Sequence, residues 1–252
     1  MLGGDDMSFF NIFTRKNNSN IIADVGMSSF DELFEKYGAI SFEKQQNIKD
    51  IVGNVRWELN LLDGKISFNK DIVYPIQLYG TFSNKSNSWL WIWDNYIEKY
   101  PEAIVKHVKE INNYGIENHI DVFTNPYFPT TKDYVKKMAM IIVGLTNSSF
   151  YYLGEFGPGA VLVSINDSAF TNEIMNSPIK VTNYFPKFIK AYDVNHRKAF
   201  KHYIKAKGFD VIELKRTIHA TYLPAYGNVK MEIQATFDKL DRLVNLDGTF
   251  KD

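Results

Sequence analysis

Between residues 55 and 61 apolar and polar side chains alternate with a period of two, opening a run of strand signals that reaches residue 94, and no other feature restricts the possible folds as much. Val55, Trp57, Leu59 and Leu61 alternate with Arg56, Glu58 and Asn60, the pattern of a strand with one face buried. Asp63-Gly64 follows where a two-residue type I′ turn belongs, since both positions need positive φ. Ile66 and Phe68 begin the return strand. A third strand is predicted around Tyr74 to Phe82, with Pro75 implying an edge or a strand start because proline has no N–H for the ladder. Ser83-Asn84-Lys85-Ser86-Asn87 reads as a turn and Ser88 to Asp94 as a fourth strand. The expected product is an antiparallel meander.

In that fourth strand Trp89, Trp91 and Trp93 occupy alternate positions and project from one face about 6.7 Å apart. Leu90 and Ile92 on the other face imply a central strand covered on both sides. One reading is a stacking platform for a flat ligand, a sugar or a base. The other is core packing. Burying ~200 Å² per tryptophan at ~25 cal/mol/Å² gives roughly 5 kcal/mol gross each. Net domain stability is only about 5–15 kcal/mol, so packing alone justifies such residues, and core packing is the reading adopted.

The run Leu61-Leu62-Asp63-Gly64-Lys65-Ile66-Ser67-Phe68, then Ile76-Gln77-Leu78-Tyr79-Gly80-Thr81-Phe82, then Trp89-Leu90-Trp91-Ile92-Trp93-Asp94-Asn95 resembles a family of bacterial proteins carried under a domain-of-unknown-function label. Ser149-Phe150-Tyr151-Tyr152 is similar too, and the resemblance covers roughly residues 30 to 165. It implies a small α+β protein with a tryptophan-rich strand at Trp89, Trp91, Trp93 and Asn95, and it brings no activity and no catalytic residue. Asp94 departs from the smaller residue usual there.

The remaining elements follow from helical periodicity and caps. Ser29 with Glu32 has capping-box spacing, and Phe30, Leu33, Phe34 and Tyr37 form a stripe that Gly38 is expected to break. Ser41 then caps a further turn of helix carrying Phe42, Ile48 and Ile51. Pro101 and Gly115 bracket a helix bearing Ile104, Val108 and Ile111. Thr130 and Asp133 start another, with Val135, Met138, Ile141 and Leu145 in its stripe. Phe150–Leu153 and Ala160–Ile165 flank Gly157-Pro158-Gly159, a hairpin. Asp193 caps a helix with Ala199, Phe200, Tyr203 and Ile204, ended by Gly208. Strands near 209–214, 218–223 and 229–237 close the chain. The class is α+β, with antiparallel meander sheets packed against several helices. Residues 1–26 are expected to be a mobile tail and 27–252 a single α+β domain, or two similar helix-plus-sheet halves of about 27–115 and 116–252.

Composition limits the chemistry. The 252 residues contain no cysteine, which excludes disulfides, thiolate metal sites and a cysteine nucleophile. Lys plus Arg and Asp plus Glu are both 29, so no global charge drives the chain to nucleic acid or anionic lipid. The apolar run Met138–Leu145 is far shorter than the ~20 residues of a transmembrane helix. Phe9, Phe10 and Phe13 followed by Arg15 and Lys16 offer a weak peripheral membrane contact, against a tail that packs on the domain. The segment lacks the charge order of a secretory signal, and a cytoplasmic location is expected.

Candidate sites are few. Asp210 with Glu213-Leu214-Lys215 has the acidic-x-Lys pattern of metal-dependent nucleases, but both acids lie on one short strand. The histidines at 107, 119, 196, 202 and 219 lack metal-ligand spacing, so neither metal nor cofactor is expected. Gln77 is a candidate buried amide. Residues 180–216 carry an excess of cations, including Lys198, Lys201 and Lys205, which suits an anionic partner, although they spread around more than one face.

These observations lead to a non-enzymatic binding or protein-interaction module of a bacterial cytoplasm, with Trp89, Trp91, Trp93, Gln77 and Asn95 as candidate ligand or partner residues. A protein partner is favoured over nucleic acid. The alternatives are a hydrolase with carboxylates and histidine gathered in a cleft, and a binder of an anionic partner through 180–216. If the tryptophans are core, Trp91→Ala lowers unfolding free energy in urea by more than about 3 kcal/mol; lost ligand binding at an unchanged melting temperature contradicts that assignment.

Overall fold

In the computed structural model the described residues are 29–48, 52, 55–69, 71–94, 97–167, 170, 177–224 and 229–251. The expected tail, with Phe9, Phe10 and Phe13, lies outside them, as does Asn95. In chain order the elements begin with α1 (Phe30–Asn47), β1 (Trp57–Asn60), β2 (Lys65–Phe68), β3 (Ile72–Ser83), β4 (Ser88–Trp91) and α2 (Glu102–Asn118). They continue with β5 (Tyr127–Pro129), α3 (Lys132–Leu145), β6 (Phe150–Phe156), β7 (Gly159–Ile165), α4 (Pro178–Ala191) and α5 (His196–Ala206). Four strands close the series: β8 (Asp210–Glu213), β9 (Thr217–Tyr222), β10 (Lys230–Phe237) and β11 (Leu243–Lys251). The class is α+β with antiparallel sheets.

β3 organises the larger, seven-stranded sheet. Ile72–Pro75 pair with β2 and Gly80–Ser83 with β4. Residues from Ile76 to Ser83 also pair with β7, which in turn pairs with β6. Pro75 therefore sits on the stretch of β3 that β7 does not reach, where a missing N–H breaks no bond to that neighbour. The register slips between Leu78 and Gly80, a bulge at Tyr79. The meander β1–β4 is as expected, with β5 added beyond β4. A boundary at 115/116 runs through this sheet, which takes β1–β4 from one side of it and β5–β7 from the other. The second sheet is a four-stranded meander, β11-β10-β9-β8.

The two-residue turn is corrected. Asn60 faces Lys65, which leaves a four-residue loop, 61–64. The Asn60 carboxamide oxygen accepts from the N–H groups of Leu62 and Asp63, both at 3.1 Å, and Gly64 supplies the positive φ of 64°. This side-chain bond replaces the backbone turn that Asp63-Gly64 suggested.

Helix ends also shift. Ser29 caps α1 by accepting from the Glu32 N–H at 3.2 Å, but α1 continues through Gly38. A Cβ there would lie 2.7 Å from Phe188 Cζ, so this glycine serves close helix packing rather than a break. Gly115 lies inside α2, which closes on His119 in the left-handed region (φ 57°). The caps of α3 and α5 are Thr131 and Asn195, not Thr130 and Asp193. Helix α4 and strand β11 were not expected. Pro178 and Pro186 mask the α4 stripe of Val181, Phe185 and Phe188, and most of β11 is exposed.

Helix α1 lies among α3, α4 and α5, and one of its turns is polar although buried. The Ser41 hydroxyl donates to the Met140 carbonyl at 2.8 Å. The Lys44 ammonium donates to the Ser148 carbonyl at 2.8 Å, and burial lowers its pKa to about 8. Glu43 receives the Lys207 ammonium on both oxygens, at 2.8 and 2.9 Å, and the Tyr203 hydroxyl. The Gln45 amide donates to the carbonyl of Tyr151 on β6 at 2.9 Å. Removing one member of a buried ion pair strands the other charge. Glu43→Ala is therefore expected to cost about 3–5 kcal/mol in chemical denaturation, and Glu43→Leu combined with Lys207→Met to recover most of it.

Candidate functional site

The tryptophan strand resolves into core. Trp89 and Trp91 are fully buried, their rings edge-to-face at 5.3 Å between centroids. The Trp91 indole N–H donates to the Val122 carbonyl at 3.0 Å. β4 ends at Trp91, so Trp93 is not on the pleated ladder. It lies in the following turn, half-buried, and stacks on Trp91 at 4.2 Å and 18°. Gln77 is held by α2: its amide donates to the Ala103 carbonyl at 2.6 Å and its oxygen accepts from the His107 N–H at 3.0 Å. Trp91 and Gln77 thus spend their polar groups on backbone, whereas the buried Trp89 Nε1 has no hydrogen-bond partner among the described residues.

The other face of the same strands is different. Side chains two residues apart share a face of a strand, and registers place Tyr127, Leu90, Thr81, Val161 and Gly154 in one row across β5-β4-β3-β7-β6. The next row on that face is Pro129, Ser88, Ser83, Gly159 and Phe156. Thr81, Ser83, Ser88, Gly154 and Gly159 keep parts of this face low, as a floor, with Tyr127 and Phe156 standing about half exposed at 51% and 45%. A Cβ at Gly154 would come within 2.8 Å of the Trp57 ring, so its absence lets β1 lie across the sheet. Trp57 is fixed edge-on to Tyr152, 5.7 Å between centroids.

Between β1 and this floor lies a hollow of about 490 Å³, walled by Trp57, Leu59, Leu61, Leu78, Ile92 and Tyr100 above and beside Thr81, Val161 and Phe156. Glu58 is its one ionisable carboxylate, paired with Arg56 at 3.2 Å. A second hollow of about 270 Å³ has Thr81 and Phe156 in its lining as well, together with Ser83, Ser86 and Ser88. A concave, largely apolar volume with few polar groups is the usual character of a small-ligand site. The wide hollow showed in the sequence only as the alternation of Trp57, Leu59 and Leu61.

The alternative site residues are placed elsewhere. His219, Glu232 and Asp247 line an open hollow on the second sheet. Gln234 separates His219 from Asp247 in register, putting their backbones two strand spacings, about 9.6 Å, apart. Lys230 and Lys251 hold Glu232 at a pKa of about 2. Among the described residues no group of three or more acids and histidines is placed to hold a metal ion. In the cationic region Lys198 pairs with Glu35 at 3.6 Å, and Lys201 and Arg197 both pair with Glu213. Glu213 of the acidic-x-Lys pattern is thereby engaged with helix α5, and Lys205 is exposed. No helix among the described residues is long and apolar enough to cross a membrane.

On the inner side of β3 a hydrogen-bonded file of hydroxyls crosses the core. Tyr79 Oη meets Ser164 Oγ at 2.9 Å, Ser164 meets Ser148 at 3.0 Å, and Ser148 meets Thr146 at 2.8 Å. His107 Nδ1 stands 3.5 Å from Tyr79 Oη.

Fold and site define an α+β protein with a curled antiparallel sheet, tryptophans on its helix-covered face and an apolar trough on the other. Residues 31–168 match a family of unknown function, DUF6882; this is more than half of the chain, which belongs to that family. The match takes in α1 to α3, the whole larger sheet and both hollows. No curated protein and no solved structure matches the chain.

Burial, with a smaller contribution from Lys106, lowers the His107 pKa from 6.5 to about 4. The unfolded chain binds this proton more readily, so its contribution to stability is complete above pH 6.5 and is lost as pH falls toward 4. The loss approaches about 3 kcal/mol. His107→Gln is expected to flatten urea midpoints between pH 7 and 4.5; an unchanged pH slope refutes the assignment.

Proposed function

We propose that the chain is a non-enzymatic binding module of a bacterial cytoplasm, whose ligand is apolar and lies in the hollow between β1 and the outer face of β3 and β7. The observation that carries this reading is the hollow itself, about 490 Å³ with aromatic and aliphatic walls. That volume lies within the range of about 300–1,000 Å³ common for small-molecule sites. The bacterial setting rests on the resemblance of the tryptophan run. Engagement of Lys198, Lys201 and Lys207 with Glu35, Glu213 and Glu43 weighs against a nucleic-acid partner, which needs cations free to replace counterions.

The uncharged dye N-phenyl-1-naphthylamine tests the reading, because its emission rises in apolar sites. The folded chain is expected to bind it, and Thr81→Trp, which fills the floor, to weaken binding by about tenfold or more. Near-ultraviolet circular dichroism and the melting temperature should stay close to those of the parent. Equal dye binding by the two chains overturns the proposal.

A further inference from the structure

We infer that the trough accommodates an elongated amphiphile, a single apolar chain lying in the wide hollow with an uncharged hydroxyl-bearing head at the narrow end. The inference rests on the reading above and specifies the ligand of that site. The two hollows share Thr81 and Phe156 as lining residues, and the ligand inferred here spans both. From Leu78 to Ser83 along β3 is five residue steps, about 17 Å at full extension, somewhat less with the bulge.

Polarity changes along that length. The wide end offers hydrocarbon and aromatic surface from Trp57, Leu61, Leu78 and Val161. The narrow end offers hydroxyls: Ser86 Oγ and Ser88 Oγ lie 2.6 Å apart, and Ser83 Oγ accepts from the Ser86 N–H at 3.2 Å. Hydroxyl groups both donate and accept, which suits a glycerol, an alcohol or an ester. The lining of the narrow hollow contains no cationic side chain, and the carboxylate of the wide hollow, Glu58, is already paired with Arg56. A charged head group would therefore lose water without gaining a counter-charge, and the neutral amphiphile is selected.

The test uses the full chain and two probes of equal chain length, 1-monolauroylglycerol and laurate, each below its micellar concentration and read by displacement of the dye. The expected result is displacement by the neutral probe, with laurate weaker by about tenfold. Ser88→Val is expected to reduce the neutral probe's advantage by about five- to tenfold. Ser86→Ala, at an exposed turn position, gives a second reading of the polar end should Ser88→Val fold poorly. Laurate binding as tightly as the neutral probe, or an advantage unaltered by both serine changes, overturns the inference. If neither lipid displaces a dye that Thr81→Trp still excludes, the amphiphile is wrong and the apolar site stands. If the dye itself does not bind, the underlying reading fails first.

Discussion

The outer trough depends on one irregularity in one strand, the bulge at Tyr79. Leu78 and Thr81 are three positions apart, and in a regular strand an odd separation points side chains to opposite faces. The extra residue at the register slip between Leu78 and Gly80 restores them to one face, so both line the wide hollow. Tyr79 is turned inward to Ser164 and His107. Bulges also increase local twist, and here β3 exchanges β2 for β4 along one edge on either side of it. The β1–β2 hairpin, carried by four paired residues of β3, consequently crosses over the sheet instead of extending it. A trough on one side and a hydroxyl file on the other have the same cause.

The polar turn of α1 joins this sheet to the rest of the described chain. Ser41, Glu43, Lys44 and Gln45 reach α3, α5, the segment before β6 and β6 itself. Buried ion pairs contribute little net stability compared with apolar replacements, because desolvation opposes the attraction. Their consequence is positional: a helix rotated about its axis would leave a carboxylate and an ammonium unpaired in the core. Leu33, Phe34 and Tyr37 supply burial on the same helix, and the polar turn sets which way that burial faces. Gln45 has a second effect, pairing with a backbone carbonyl on the edge of β6 that would otherwise remain open to another strand.

Short-range signals in the sequence account for much of this architecture. The alternation at Val55–Leu61, the turn expected at 83–87 and the Gly157-Pro158-Gly159 hairpin place strands to within a few residues of β1, β3, β4, β6 and β7 because each depends on neighbours in sequence. Core assignment of Trp89 and Trp91 follows from their size alone. Glycines misled at 38 and 115, since a local reading treats glycine as a helix stop, whereas Gly38 makes room for Phe188, 150 positions away. Pairing of β3 with β7 is likewise a long-range fact, about 80 residues apart. The trough needs that pairing, the Tyr79 bulge and Gly154 together, and none of the three leaves a periodic mark. Among the candidate residues, Trp89 and Trp91 lie on β4 and Gln77 on β3, on the helix-covered face opposite the trough.

Trp57 and Trp91 show how one residue type takes two different environments in this fold. Trp91 satisfies its indole N–H on Val122 and buries both faces of its ring, one against Trp93. Trp57 rests one edge over Gly154 and Tyr152 and keeps part of its surface toward the hollow. Ordinary packing would fill such a volume, since a residual cavity of this size in a core is strongly destabilising. Here the floor includes Thr81 and Ser83 on β3 and Ser88 on β4, short side chains on the two strands that carry large ones, Phe82 and Trp89, on the opposite face, with Gly159 of β7 beside them. Thr81, Ser83 and Ser88 outward, against Phe82 and Trp89 inward, leave the helix-covered side closed and the β1 side open.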